Sequence, residues 1–203
     1  MRRAVVIGSL LALLLPVMAW GSGIDLTNQF GTVNIGTGGI VSSRSELMSF
    51  GNVSAATGNL GWVYFSTGVF QGTNFWSGGT FSDVGSSFIV TSPLGIPGGG
   101  PTGTLFSGAF INPIQWTLVS HNGTNSYVFN LSGTIGGDNW NGTYVTGTTS
   151  QTINISKNQW YQVDSGSTTI KNPAHIPEPG TLGLLGTGLV SIAGILRRKL
   201  MRI

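Results

Sequence analysis

Few residues of this chain have the types and spacing that catalysis requires. One histidine, His121, stands beside a turn signal, and the other, His175, lies near the C-terminus. Glycoside hydrolysis needs two opposed carboxylates, for which Glu46 and scattered aspartates are available. No Gly-x-Ser-x-Gly nucleophile elbow accompanies the histidines. The sequence therefore predicts no catalytic residues and no enzyme, and a secreted hydrolase is the least favoured class.

Oxygen ligands for a cation are most concentrated in Asp138-Asn139-Trp140-Asn141-Gly142. This segment lacks the alternating ligand positions and the distal glutamate of a calcium loop, and it is typical of a turn that enters a strand. The chain has no cysteine, which excludes disulfides and thiolate metal sites. The sequence predicts no metal site and no cofactor.

The tryptophans offer a different chemistry, because an aromatic face can stack on a sugar ring. Trp62 and Trp116 occupy apolar positions of predicted strands, and we expect both in the core. Trp76, Trp140 and Trp160 lie near Gly- and Asn-rich turns, where they could contact a glycan. Core packing and glycan contact are the two alternatives for these three residues, and core packing is favoured.

The elements that would position these residues are predicted to be β-strands. Ile114–Leu118 and Tyr127–Leu131 alternate apolar and polar residues, and the Asn122-Gly123 pair between them suits a hairpin turn. Further strands are predicted at Leu60–Ser66, Ser87–Thr91, Thr104–Phe110, Gly142–Thr146, Thr152–Ile155 and Trp160–Val163. The pattern indicates an all-β fold, an antiparallel β-sandwich or small barrel-like domain over residues 22–167, followed by a polar stalk at 168–175.

Charge is sparse and unevenly distributed. Charged residues make up 7% of the chain, and residues 22–176 hold five acidic against three basic side chains, a net charge of −2. This segment has no basic patch to neutralise phosphates, so no nucleic-acid partner is predicted. With 33 glycines and few charges, Ser, Thr, Asn and Gly must cover the surface, as is typical of exported β-rich proteins.

The N-terminal residues 1–21 have the pattern of a secretory signal peptide. Arg2 and Arg3 precede an uncharged apolar run, Ala4–Leu15, that is too short to span a bilayer. Pro16 ends this helix, and small residues suited to a peptidase follow. We expect export, with cleavage after Ala19 or Gly21.

The C-terminal residues 176–203 combine a proline-rich motif, an apolar run and a basic cluster. Pro177, Glu178 and Pro179 precede an uncharged segment, residues 180–196, which as a helix would be about 25 Å long, slightly short of the bilayer core. The basic residues that follow can reach the headgroups and hold this end in the cytoplasm; they are Arg197, Arg198, Lys199 and Arg202. A transmembrane helix is therefore predicted here.

These C-terminal elements resemble the PEP-CTERM sorting signal of Gram-negative bacteria, with Ile176 where valine is often found. The resemblance implies recognition and processing near Pro177-Glu178-Pro179 by an exosortase. It also implies an inner-membrane anchored precursor with a periplasmic domain, and a mature protein at the cell surface or in the extracellular matrix of a host that makes exopolysaccharide.

Two functional hypotheses follow. The favoured one is an exported surface or matrix protein with a structural or interaction role, associated with exopolysaccharide. The alternative is a carbohydrate-binding module or adhesin that uses its exposed tryptophans.

Overall fold

The computed structural model describes residues 23–123, 126–156 and 160–171. The predicted signal peptide, transmembrane helix, sorting motif and basic cluster lie outside these ranges. Within them, no helix has both the length and the apolar character that a membrane crossing requires. The described residues belong to one compact unit, residues 22–173.

This unit consists of antiparallel strands and one short 3₁₀ turn, Phe75–Ser77. The strands are β1 (Ile24–Gln29), β2 (Thr32–Gly36), β3 (Gly39–Phe50), β4 (Val53–Ser54), β5 (Gly61–Ser66), β6 (Gly79–Phe81), β7 (Ser87–Ser92), β8 (Gly103–Phe110), β9 (Ile114–Asn122), β10 (Ser126–Asn139), β11 (Tyr144–Ser156) and β12 (Trp160–Lys171). The prediction of an all-β antiparallel fold is confirmed, and of the two architectures the structure adopts the barrel.

Eight of these strands close the barrel. Following the pairings from β3 leads through β5, β7, β8, β10, β11, β12 and β1, and β1 pairs with β3 again. Closure removes the unpaired edges that an open sheet would present. An eight-stranded barrel is just wide enough for side chains to fill its interior.

The long strands extend beyond the barrel and carry the remaining elements. The C-terminal part of β10 pairs with β8, whereas its N-terminal part pairs with β9, which in turn carries β6. On the opposite side β2 pairs with the start of β3 and touches β12 at Gln162. The side chains along each strand alternate between an inner and an outer face. A long strand such as β10 pairs with different neighbours at its two ends.

Large apolar side chains fill the interior. Buried Phe65, Phe88, Phe106 and Phe129 come from four different strands, and Trp116 stacks on Phe129 with ring centroids 4.2 Å apart. Because the chain has no cysteine, its stability depends on this burial and on backbone pairing rather than on disulfides.

Several predicted elements are confirmed with small changes of boundary. β9 and β10 form the expected hairpin around Asn122-Gly123, and β5, β7 and β8 coincide closely with their predicted ranges. The strands predicted at Gly142–Thr146 and Thr152–Ile155 are one continuous strand, β11, which starts at Tyr144. The sequence did not predict β1, β2, β3, β4 or β6.

The predicted polar stalk overlaps the barrel. β12 continues through Lys171, and Thr168 and Ile170 on it are buried. Residues 168–171 are therefore strand rather than stalk, because Thr168 and Ile170 face the interior while Thr169 faces outward. Residues 172–175 lie outside the described ranges, and the outer limits of the predicted domains remain predictions.

Candidate functional site

The acidic residues considered for hydrolysis stand on separate elements. Glu46 is half-buried on β3, Asp25 is exposed on β1, and Asp138 and Asp164 are exposed on β10 and β12. The Asp25 carboxylate accepts a 2.6 Å hydrogen bond from the Thr169 hydroxyl. Among the described residues, no group of three or more metal-ligating side chains is close enough to hold an ion.

The segment tested as a calcium loop is a turn. The Asn139 side-chain oxygen accepts hydrogen bonds from the backbone N–H groups of Asn141 and Thr143, each at 3.0 Å. Gly142 adopts a positive φ of 70° and its N–H donates to the Asn139 carbonyl. The side chain that would have served as a cation ligand instead caps the β10–β11 connection.

Of the two tryptophans predicted in the core, only Trp116 lies there. Trp116 is 1% exposed, and its indole N–H donates to the Phe75 carbonyl at 3.1 Å. Trp62 was assigned to the wrong face of β5. The inward residues of that strand are Gly61, Val63 and Phe65, so Trp62 points outward and is only half-buried.

The three tryptophans predicted near turns differ in their surroundings. Trp76, in the 3₁₀ turn, is 36% exposed, and its ring lies 4.7 Å from that of Tyr127. Trp140 is partly buried and meets Phe50 edge to face at 5.7 Å. The side chain of Trp160 lies outside what the structure describes. Glycan contact by these residues remains a prediction.

The outer face of β10, β11 and β12 presents a regular array of polar side chains, which we call the hydroxyl grid. Strand pairing aligns it in three rows, which are Thr134, Thr148 and Thr169; Ser132, Ser150 and Ser167; and Asn130, Thr152 and Ser165. Neighbouring members of a row lie on adjacent strands about 4.8 Å apart, and rows follow one another about 6.7 Å along the strands. The grid thus offers evenly spaced hydrogen-bonding groups.

Two shallow grooves follow this face. The larger, of about 460 Å³, lies over the first two rows and is bordered by Asn112, Pro113 and Gln115. The smaller, of about 350 Å³, extends over β12 toward β1 and includes Thr27 and Met48. Both grooves include Ser150 and Ser167, so they form neighbouring parts of one surface.

Beneath the grid, the barrel contains a buried polar network that the sequence did not reveal. Gln151 and Asn28 exchange two amide hydrogen bonds, and Asn28 also donates to Ser45 at 2.7 Å. Gln151 donates to Thr149 at 2.9 Å, and Thr149 lies 2.8 Å from the Thr168 hydroxyl. Because this network joins β1, β3, β11 and β12, it fixes the strands that carry much of the grid.

Gly166 leaves the space that this network needs. Any side chain at position 166 would collide with the Gln151 and Asn28 side-chain oxygens. Glycine in a strand interior often marks such a close approach. Ser165 and Gly166 are residue types common in turns, but here they lie within β12. Gly166 is needed there because the Gln151 and Asn28 side chains pack against it.

Comparison with known proteins adds information at the C-terminus. Residues 175–199 match the family model of the PEP-CTERM protein-sorting motif. The match includes Pro177, Glu178 and Pro179 and the basic run Arg197–Lys199, while Arg202 lies beyond it. No curated protein matches the chain, and no solved structure matches it.

The molecule is thus a β-barrel protein with a C-terminal sorting address. It carries a PEP-CTERM motif, which supports an exported protein that is sorted to the cell surface by an exosortase from a membrane-anchored precursor.

Proposed function

We propose that the delivered β-barrel is a non-enzymatic surface or matrix protein that associates with exopolysaccharide through the hydroxyl grid. Its role is structural: it attaches to many equivalent positions along a polymer rather than enclosing one small ligand. The exosortase acts as its processing partner at the membrane.

The observation that carries this proposal is the register of the grid. Pairing places Ser132, Ser150 and Ser167 in one line across three strands, with a parallel line on either side. A polysaccharide is a line of repeated hydroxyl groups. A chain lying across the strands can therefore form similar hydrogen bonds at successive positions, directly or through bridging water.

The chemistry of the grid favours a polyhydroxylated partner. All its members are neutral, and hydroxyl and amide side chains can both donate and accept hydrogen bonds. The groove above it is open and shallow rather than a deep pocket of the kind that holds small molecules. Single hydrogen bonds of this sort contribute about 0.5–1.5 kcal/mol each, so useful affinity requires many of them along a polymer.

A second function, a carbohydrate-binding module or adhesin, is supported by the surroundings of Trp76. Tyr127 lies between Trp76 and His121, with ring centroids 4.7 and 4.5 Å away. These rings extend the core aromatics to the surface at the β9–β10 end. An aromatic site there would take one sugar ring, whereas the grid would take a chain.

Conservative removal of grid hydroxyls tests the primary proposal. Thr148→Val and Thr152→Val together preserve the shape and strand preference of two outward β11 residues but remove their hydroxyls. With the full chain in detergent and exopolysaccharide of the host immobilised on a sensor, we expect binding to fall about fivefold. Thr37→Val with Thr57→Val, at two exposed turn positions, is the matched control and should leave binding unchanged.

The proposal fails if wild-type protein shows no binding to the host polysaccharide. It also fails if the grid variant binds as tightly as the turn-position control.

A further inference from the structure

A second feature of the outer surface lies away from the grid, on β3 and β5. We propose that Trp62, with Arg44, Glu46 and Tyr64, forms a binding site for a neutral hexopyranose unit of a polysaccharide. The inference takes its ligand class from the proposed function, but it concerns different residues on a different part of the barrel.

The aromatic part of this site is presented by β5. Burial alternates along the strand, so Trp62 and Tyr64 both face outward and both are half-buried. Residues two apart on a strand stand about 6.7 Å from each other on the same face. The two rings therefore flank one sugar-sized position on the sheet surface, where a stacked ring would be partly shielded from water.

A bulge in β3 positions the polar part of this site. The pairing of β3 with β5 shifts between Ser42 and Ser45, and Arg44 within the shift has a positive φ of 49°. A non-glycine residue in this conformation is uncommon, and bulges re-aim side chains next to functional sites. Here the guanidinium carbon lies over the Trp62 ring, 5.7 Å from its centroid.

The neighbouring β1–β2 turn supports this bulge. Gly31 has a φ of 98°, and a side chain on it would lie 2.7 Å from the backbone of Ser45. Phe30 before it also has a positive φ of 58° and remains 47% exposed. Two adjacent segments thus adopt restricted backbone conformations, which is a common property of binding sites.

Glu46 completes the set of hydrogen-bonding groups. In the register of β3 with β5 it stands directly opposite Trp62. Its carboxylate can accept hydrogen bonds from sugar hydroxyls, while the Arg44 guanidinium can only donate. A cationic donor and an anionic acceptor beside one aromatic ring suit a neutral sugar, whose hydroxyl groups can both accept and donate hydrogen bonds. Because the charges of Arg44 and Glu46 cancel, an anionic sugar would gain no net electrostatic attraction at this site.

The contact between Arg44 and Trp62 is compatible with this role. Arg44 is exposed, and cation–π contacts at exposed sites are weak, so a ligand can displace the guanidinium from the ring. The polarised C–H face of the sugar then lies against the indole. The displaced Arg44 remains within reach to donate hydrogen bonds to the sugar hydroxyls.

The test uses the full chain in detergent and two immobilised probes, neutral hydroxyethylcellulose and anionic alginate. We expect wild-type protein to bind the neutral polymer and Trp62→Ala to weaken this binding at least about tenfold, as for a central aromatic contact. Glu46→Gln and Arg44→Met, which keep side-chain size, should each weaken it about threefold. Tyr144→Ala, which removes an exposed ring at the start of β11 outside both proposed sites, is the control and should bind like wild type.

The outcomes separate the two proposals. If wild type binds and the Trp62, Glu46 and Arg44 variants bind equally well, this inference is overturned while the proposed function stands. Preference of wild type for alginate overturns the neutral ligand class. Binding to neither probe, nor to the host exopolysaccharide, overturns both proposals. Should Trp62→Ala fail to fold, the Glu46 and Arg44 variants decide the matter alone.

Discussion

Asn28 and Gln151 are 123 positions apart in the chain, and their side-chain amides pair inside the barrel at 2.8 and 3.2 Å. Both residues are almost completely buried. An amide in this environment is costly to leave without a partner, because water is excluded and the local dielectric is low. This one contact therefore ties β1 to β11 across β12, under the surface that carries the hydroxyl grid.

Removing one amide of this pair should destabilise the barrel strongly. Gln151→Leu leaves Asn28 with an unsatisfied carbonyl oxygen, so the free energy of unfolding should fall by about 1–3 kcal/mol. Denaturant titration of the full chain measures the change. Gln162→Leu, at an exposed β12 position, is the control and should change it by less than about 0.5 kcal/mol. Equal effects of the two substitutions would contradict the role assigned to the pair.

Replacing both amides tests whether the two side chains depend on each other energetically. In Asn28→Leu with Gln151→Leu no orphaned amide remains between the two positions, so part of the loss should be recovered. We expect the double variant to be more stable than the sum of the single effects predicts. Additive losses would show that the two amides are energetically independent.

A methyl group at position 166 should disturb the same buried network by crowding its side chains. Gly166→Ala places a side chain against the Gln151 and Asn28 oxygens, so we expect a loss of about 1–3 kcal/mol from overpacking. Gly36→Ala is the matched control, because nothing lies within 4 Å of the added carbon and its φ is not positive. Thermal unfolding compares them. If Gly166→Ala is as stable as wild type, the close approach of the Gln151 and Asn28 oxygens to position 166 is refuted.

The two strand tryptophans provide a prediction about the faces of the sheet. Trp116→Ala removes a buried ring that stacks on Phe129, and this should cost about 3–5 kcal/mol of stability. Trp62→Ala removes an outward ring, so its cost should stay below about 1.5 kcal/mol. Chemical denaturation of both variants measures the difference. A larger loss for Trp62 would place its ring in the core.

This pair also shows where sequence reasoning reached its limit. Alternation along β5 and β9 predicts strands, and both strands exist. Alternation alone does not say which of the two faces turns inward when both carry large side chains. On β5 the choice of Val63 and Phe65 as core residues depends on the closure of the barrel, which no local pattern encodes.

One pairing between strands that are consecutive in the sequence was predictable, whereas pairings between strands that are distant in the sequence were not. The β9–β10 hairpin was predictable because its turn signal lies between the two strands. β1 pairs with β12, at the other end of the domain, and its residues are mostly polar. Gln151 and Thr149 also have the composition of a surface strand, although both are buried. Their role becomes visible only with their partners.

Binding through neutral groups should respond little to salt. The grid consists of hydroxyl and amide side chains, so raising the salt concentration to about 0.5 M, where charges are strongly screened, should change the affinity for host polysaccharide less than about twofold. Sensor measurements at low and high salt test this. A steep loss of binding with salt would indicate that charged groups carry the interaction.

The central claim is that this barrel is cargo of an exosortase, and intact-mass spectrometry of the protein recovered from its host tests it most directly. We predict that the mature protein begins near Trp20 or Ser22 and ends close to Glu178, and that deletion of the exosortase leaves the C-terminal segment attached. Recovery of a chain that retains residues 180–203 while the exosortase is active would contradict the account.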